Sequence, residues 1–261
     1  MQHHDDSLAT FVAAAATDGS CEAVIVQGSV ARGVARPDSD IDLYLLVSDD
    51  AFDAARRDGR LSFTSRDGIT YDGGYFDIKL VTLDYLDQAA DHGDEACRAS
   101  FDGARVAWSR VDGLEARLAA IVELPEAEWA ERQARFLAMA RLHGWYFVPQ
   151  GHQLGDPFLL RYGAVHLVMG AGRALLARNH VMLKAPKYLA STVAGLADQP
   201  DGYAELVAAV LADPDPASAA ALVAALDGMG DWPLPFEATL SRFVEDNELG
   251  WLTGVMPPEY S

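Results

Sequence analysis

Cysteine is scarce in this chain: two occur, Cys21 and Cys97, with no CxxC between them. That argues against a disulfide framework and against a thiolate metal site. Positive charge is scarce as well, with 20 lysines and arginines against 39 aspartates and glutamates, a net charge of -19. No basic run exists, and a duplex-binding surface needs a basic stripe. Nucleic acid and anionic membrane are therefore not expected as partners. No stretch approaches the ~18 uncharged apolar residues that a membrane-spanning helix requires. Met1 to Ser7 holds two histidines and two aspartates, without the basic and long apolar regions of a secretory signal. The expected location is cytoplasmic. There is no internal repeat, and no low-complexity segment beyond alanine-rich patches.

What remains is ample for a core. Half of the 261 residues are hydrophobic, and the length suits one large domain or two modest ones. The acidity reads first as solubility and, more sharply, as attraction of a polycationic small molecule. Up to about Arg110 the pattern alternates between helix and strand. Ser7 to Ala16 reads as a helix, and Glu22–Gln27 and Asp40–Val47 as valine- and isoleucine-rich strands. A helix follows through Arg57. Next come strands at Leu61–Ser65 and Ile69–Leu83, the latter broken by Gly73-Gly74. Short helices lie near Leu86 and Glu95, and a strand at Ala104–Trp108. After Gly113 the spacing of Trp129, Phe136, Met139 and His143 is helical. Asp156-Pro157 reads as an N-cap with a first-turn proline, opening a helix to about Arg178. Arg161, His166 and Arg173 interrupt that helix and mark it as a buried bundle helix. Prolines at 186, 200, 214, 216, 233 and 235 divide the rest into four or five helices. The expected fold class is α+β: residues 1–112 a domain with a mixed, twisted sheet, residues 113–261 a helical bundle that binds substrate. The five tryptophans read mainly as core, and Pro149 to Gln153, after Trp145-Tyr146, as a loop bordering the interdomain cleft.

The stretch with chemical content is Gly28-Ser29, then Asp40-Ile41-Asp42 after ten intervening residues. A buried strand delivers the chain to Gly28, where the missing side chain lets backbone approach a bulky ligand. Ser29 falls at a helix start, where free N–H groups favour phosphate oxygens. In the next strand side chains alternate, so Ile41, Leu43 and Leu45 face the core while Asp40, Asp42 and Tyr44 face the other way. Two carboxylates so placed repel each other unless a cation lies between them, and hard divalent ions take oxygen ligands. In Gly74-Tyr75-Phe76-Asp77-Ile78-Lys79-Leu80, Asp77 shares a face with Tyr75 and Lys79. If this strand pairs beside Asp40–Val47, Asp77 joins Asp40 and Asp42, and three carboxylates around one or two magnesium ions would suit in-line phosphoryl chemistry. Lys79 touches phosphate or balances the carboxylates. Arg32 and Arg36 read as solvated loop arginines, and His143, His166 and His180 as packed or surface residues.

Gly28-Ser29 followed by Asp40-Ile41-Asp42 resembles the signature of the DNA polymerase beta-type nucleotidyltransferase superfamily, and Asp77 is similar to its third carboxylate. The resemblance covers about residues 22–82. It implies that Asp40 and Asp42 ligate magnesium and that Gly28 and Ser29 hold the triphosphate of ATP or another nucleoside triphosphate. Asp77 would be a metal ligand, or the general base for the acceptor hydroxyl. The whole-chain plan resembles aminoglycoside nucleotidyltransferases of the streptomycin/spectinomycin class. In these a lysine of an Ala-Pro-Lys stretch reaches the phosphates, which implies Lys187, with Lys184 in reserve. That class has glutamate where this chain has Asp77. The implied activity is transfer of a nucleoside monophosphate to a small-molecule hydroxyl, possible antibiotic resistance included. Its rivals are an antitoxin-like enzyme that modifies a partner protein and a catalytically silent nucleotide-binding module. Acceptor, base preference and oligomeric state stay open.

Overall fold

The computed structural model describes residues 1–254 and 256–258. By contact, the chain divides into two compact units, Met1–Glu123 and Leu124–Ser261. The first is an α+β layer structure. Helix α1 (Gln2–Ala15) precedes β1 (Cys21–Val26), a single turn α2 (Gly28–Ala31) and β2 (Ile41–Val47). Then follow α3 (Asp49–Arg57), β3 (Ser62–Ser65), β4 (Phe76–Val81), α4 (Leu83–His92), α5 (Glu95–Phe101), β5 (Arg105–Ser109) and α6 (Leu114–Val122). The five strands form one mixed sheet in the order β3-β4-β2-β1-β5. Only β2 and β4 run parallel; the other pairs are antiparallel.

Both faces of this sheet are covered, so Tyr44, read from the alternation as facing away from the core, is buried. Val24, Val26, Ile41, Leu43, Phe76 and Ile78 pack with Leu8 of α1. On the opposite face Ile25, Tyr44, Leu46 and Val81 pack with Leu86 of α4, Phe101 of α5 and Leu114, Leu118 and Ile121 of α6. The physical reason lies in the run Leu43-Tyr44-Leu45-Leu46-Val47, which is apolar on both sides, as strands buried between helices are. Arg98 ties the covering helices together: its guanidinium donates to the carbonyls of Ala90, Gly93 and Ile121 at 3.0, 2.8 and 2.7 Å. Helix α6 packs on α4, α5 and β5, so the first compact unit runs past Asp112. Strand β4 is shorter than Ile69–Leu83: it starts only at Phe76, after a non-strand stretch with a turn at Asp72-Gly73, and Thr82 caps α4 by accepting the Tyr85 N–H.

The second unit is helical: α7 (Glu126–Leu142), a π turn at His143–Phe147, α8 (Val148–Leu154), α9 (Pro157–Arg178), α10 (Leu189–Val193), α11 (Tyr203–Ala212), α12 (Pro216–Gly228), α13 (Thr239–Asn247) and α14 (Gly250–Thr253). Asp156 caps α9, accepting from the Phe158 and Leu159 N–H groups. The core is built from α7, α9, α11 and α12, with Leu137, Leu167, Leu175, Val210, Leu222 and Leu226 fully buried. Residues 149–153 are helix α8 and not a loop, because the π turn lets the helix continue into Pro149 at its start. Trp129 is buried, whereas Trp145 and Trp251 are exposed. Buried Arg141 pairs with Asp227 at 2.6 Å and donates to the Leu234 carbonyl. Among the described residues no helix is long and apolar enough to cross a membrane.

Candidate functional site

The candidate site lies at one end of the sheet, where the apolar cover of its second face stops. Strand β1 ends at Val26, paired with Leu43, and the Gln27 N–H donates to the Asp42 carbonyl at 3.0 Å. The chain then turns at Gly28, with φ of 70°. That left-handed conformation is costly for any residue with a side chain. Space imposes the same choice, since a Cβ built on Gly28 would overlap the Asp42 carboxylate and sit 2.8 Å from its Cγ. The backbone of the turn and the Asp42 carboxylate therefore share one small volume. Ser29 is half-buried in α2. Because α2 is only four residues long, it supplies little macrodipole; what it offers an anion is the N–H groups of a first turn, which have no intrahelical acceptor.

Strands β2 and β4 bring the acidic residues together. In their parallel register Asp42 lies directly across from Asp77, and Tyr44 from Lys79. Asp42 and Asp77 share the sheet face that carries Tyr44, Leu46 and Val81, one step beyond the helical cover. Burial raises the Asp42 carboxyl above the usual carboxylate range, and the charges of Asp40 and Asp77 push it further; Lys79 and Arg32 pull the other way. The nearby Asp40 carboxylate raises the pKa of the Tyr75 phenol above its usual value. Arg32, read from sequence as a solvated loop residue, is half-buried. Its stem lies against the Asp102-Gly103 turn, where a Cβ on Gly103 would come within 2.7 Å of the arginine Cγ. Arg36 is exposed and pairs with Asp38 at 3.2 Å.

The donor set is all-oxygen and mutually repelling, and the Asp42 carboxylate meets a turn where glycine leaves no side chain in the way. That chemistry fits a hard divalent cation. As they stand, the His, Cys, Asp and Glu side chains of the described residues form no group of three drawn tightly enough to hold an ion. Lys187 lies in the second unit, on an exposed 3-10 turn (Pro186–Tyr188), with its ammonium 5.0 Å from the Tyr188 ring centre.

Sequence reasoning missed a polar network behind Asp40. The Tyr71 hydroxyl donates to the Ser39 carbonyl at 2.6 Å, and the Tyr71 ring packs against His3 and His4 of α1 at 4.6 and 4.9 Å. His3 Nε2 lies 3.1 Å from the Pro37 carbonyl, and Ser7 Oγ lies 2.9 Å from Thr70 Oγ1. Burial lowers the pKa of His4, and the neighbouring His3 lowers it further. The available signal was a run of polar residues in an otherwise apolar helix, at spacings that place His3, His4 and Ser7 on adjoining faces.

Residues 11–87 match the model of the nucleotidyltransferase domain, a span that holds Gly28, Ser29, Asp40, Asp42 and Asp77. The fold is similar to the crystal structure of a nucleotidyltransferase-like protein from Exiguobacterium sibiricum. The two share 11% identity with a TM-score of 0.51, over 92% of this chain and 75% of that one. No curated protein sequence matches the chain. The domain match supports nucleotidyl transfer as the activity, with a nucleoside triphosphate as substrate; neither match bears on the acceptor.

Proposed function

We propose that this chain is a magnesium-dependent adenylyltransferase that moves AMP from ATP to a hydroxyl of a cationic small molecule, such as an aminoglycoside-like antibiotic. The observation that carries the reading is the juxtaposition of Asp42 and Asp77 across the β2–β4 ladder, beside a glycine turn that abuts the Asp42 carboxylate. Asp40, Asp42 and Asp77 would hold magnesium, which supplies charge neutralisation of the triphosphate and of the leaving pyrophosphate. Gly28 and Ser29 bind phosphate oxygens through backbone N–H groups and the serine hydroxyl. Lys187 adds a cation for the same phosphates. The acceptor oxygen attacks the α-phosphorus, the bond to the bridging oxygen breaks and pyrophosphate leaves. Asp77 takes the proton from the attacking hydroxyl. The net charge of -19 favours a cationic acceptor by long-range attraction, and the cytoplasm supplies ATP and magnesium.

The test is α-labelled ATP with magnesium and a panel of hydroxylated acceptors, aminoglycosides included, run on wild type and Asp42→Asn. Label on a small molecule, lost in the variant, supports the reading. Label on a co-purified protein would replace the acceptor with a protein side chain. ATP binding with no pyrophosphate release from any acceptor would leave a silent nucleotide-binding module.

A further inference from the structure

The network behind Asp40 has no part in the transfer step itself, yet it converges on the residue that precedes Asp40. Three separate segments meet there. The first is the turn Arg36 to Ser39, where the Ser39 hydroxyl accepts the Arg36 N–H at 2.9 Å. The second is the turn before β4, whose Tyr71 reaches across to donate to the Ser39 carbonyl at 2.6 Å. The third is the start of α1. There the Thr70 hydroxyl donates to the His3 carbonyl at 3.1 Å, and the Thr70 N–H donates to Ser7 Oγ at 3.0 Å.

The Tyr71 ring has little freedom in this arrangement. His3 and His4 pack against it. Gly74 also abuts it, where a Cβ would overlap the ring itself. Ser39 and His4 are buried, so the bond from Tyr71 is shielded from competing water. A carbonyl fixed at residue 39 fixes the peptide plane that enters residue 40. The Ile41 N–H, which donates to the Tyr75 carbonyl at 3.0 Å, fixes the plane that leaves it. Between them the Asp40 backbone has no free torsion to spend on aiming its carboxylate.

Resting on the function proposed above, we propose that Tyr71 is a positioning residue: clamped by His3, His4 and Gly74, it holds the Ser39 carbonyl so that Asp40 is aimed for cation binding beside Asp42. The amino-terminal turn of α1 is then part of the catalytic apparatus, although it supplies no group to the reaction.

The experiment titrates manganese, as a paramagnetic stand-in for magnesium, by electron paramagnetic resonance on the full chain, in wild type, Asp42→Asn and Tyr71→Phe. The phenylalanine keeps the ring and its packing and removes only the hydroxyl. Gly74→Ala is the second variant, because it displaces the ring without touching the hydroxyl. Loss of one buried hydrogen bond, expressed as misaim of a ligand, predicts about tenfold weaker manganese binding in Tyr71→Phe. Both Tyr71→Phe and Gly74→Ala should lower kcat and leave the KM for ATP within about twofold. Manganese binding and kcat at wild-type levels in both variants, with Asp42→Asn still deficient, would overturn the inference and leave the function standing. Undiminished manganese binding in Asp42→Asn would remove the metal assignment and this inference with it.

Discussion

Gly28 and Asp42 compete for one volume: the carboxylate of Asp42 lies where a side chain on residue 28 would have to go. Gly28→Ala therefore faces two penalties, the left-handed φ of 70° and the collision. The conformational part alone costs about 1–2 kcal/mol. Gly33 separates the two effects, because its φ is 74° but nothing lies within 4 Å of a Cβ there. Expected is a similar conformational loss of stability in Gly33→Ala with transfer retained, and a larger loss in Gly28→Ala with transfer abolished. Thermal melts and pyrophosphate release measure both. Equal activity in the two variants would show that the close approach at Gly28 is irrelevant to catalysis.

Asp42→Asn should lower transfer by about two orders of magnitude or more while stabilising the fold. Burial and two neighbouring carboxylates raise the Asp42 pKa above its ordinary 3.8. The folded state therefore holds the proton more tightly than the unfolded one, and wild-type stability declines as pH climbs through the raised pKa. Asparagine carries no such charge. The difference in Tm between variant and wild type should be small near pH 4 and widen toward neutrality. A constant difference across that range would contradict the assignment.

His4 tests the opposite sign. Its folded-state pKa lies below 6.5, chiefly through burial, so below that pH the unfolded chain takes up a proton that the folded chain resists. The stability contributed by neutral His4 is complete above pH 6.5 and is lost as pH falls below it. Between pH 7.5 and 5.5, wild type should lose Tm faster than His4→Leu. Parallel curves would exclude His4 as the responsible group.

Lys187 sits on an exposed turn with its ammonium over Tyr188. Lys187→Ala should leave Tm within experimental error, since a surface cation–π pair is worth about 0.5–1 kcal/mol at most. It should raise the KM for ATP about tenfold, the effect of one lost charge-assisted bond to phosphate. Unchanged KM would assign the lysine a solvent role only.

The β2–β4 pairing was legible because Asp42 and Asp77 each interrupt a run of large apolar residues, and an acidic residue there is too costly to be accidental. The cover over Tyr44 and Leu46 was not legible, since a strand buried on both sides loses the alternation that assigns its faces. Helix α8 was hidden because Pro149 and Gly151 signal a loop in any local reading. Only the π turn before them and the close approach of Gly151 to Leu160 of α9 explain why they stay helical. Tyr71 was hidden for another reason. Its acceptor is a backbone carbonyl 32 positions away, and such a partner leaves no residue pattern to read.

Strand β2 occupies the middle of the five-stranded sheet, with β1 and β4 hydrogen-bonded on its two sides. Its amide protons thus have no route to deuterium short of the sheet parting as a whole. Loosening at the periphery, in α3 or β3, leaves the aspartate of that strand where it was. The aspartate of β2 is anchored in a strand hydrogen-bonded on both sides, and any mobility needed for substrate entry has to come from elements other than the one that holds it.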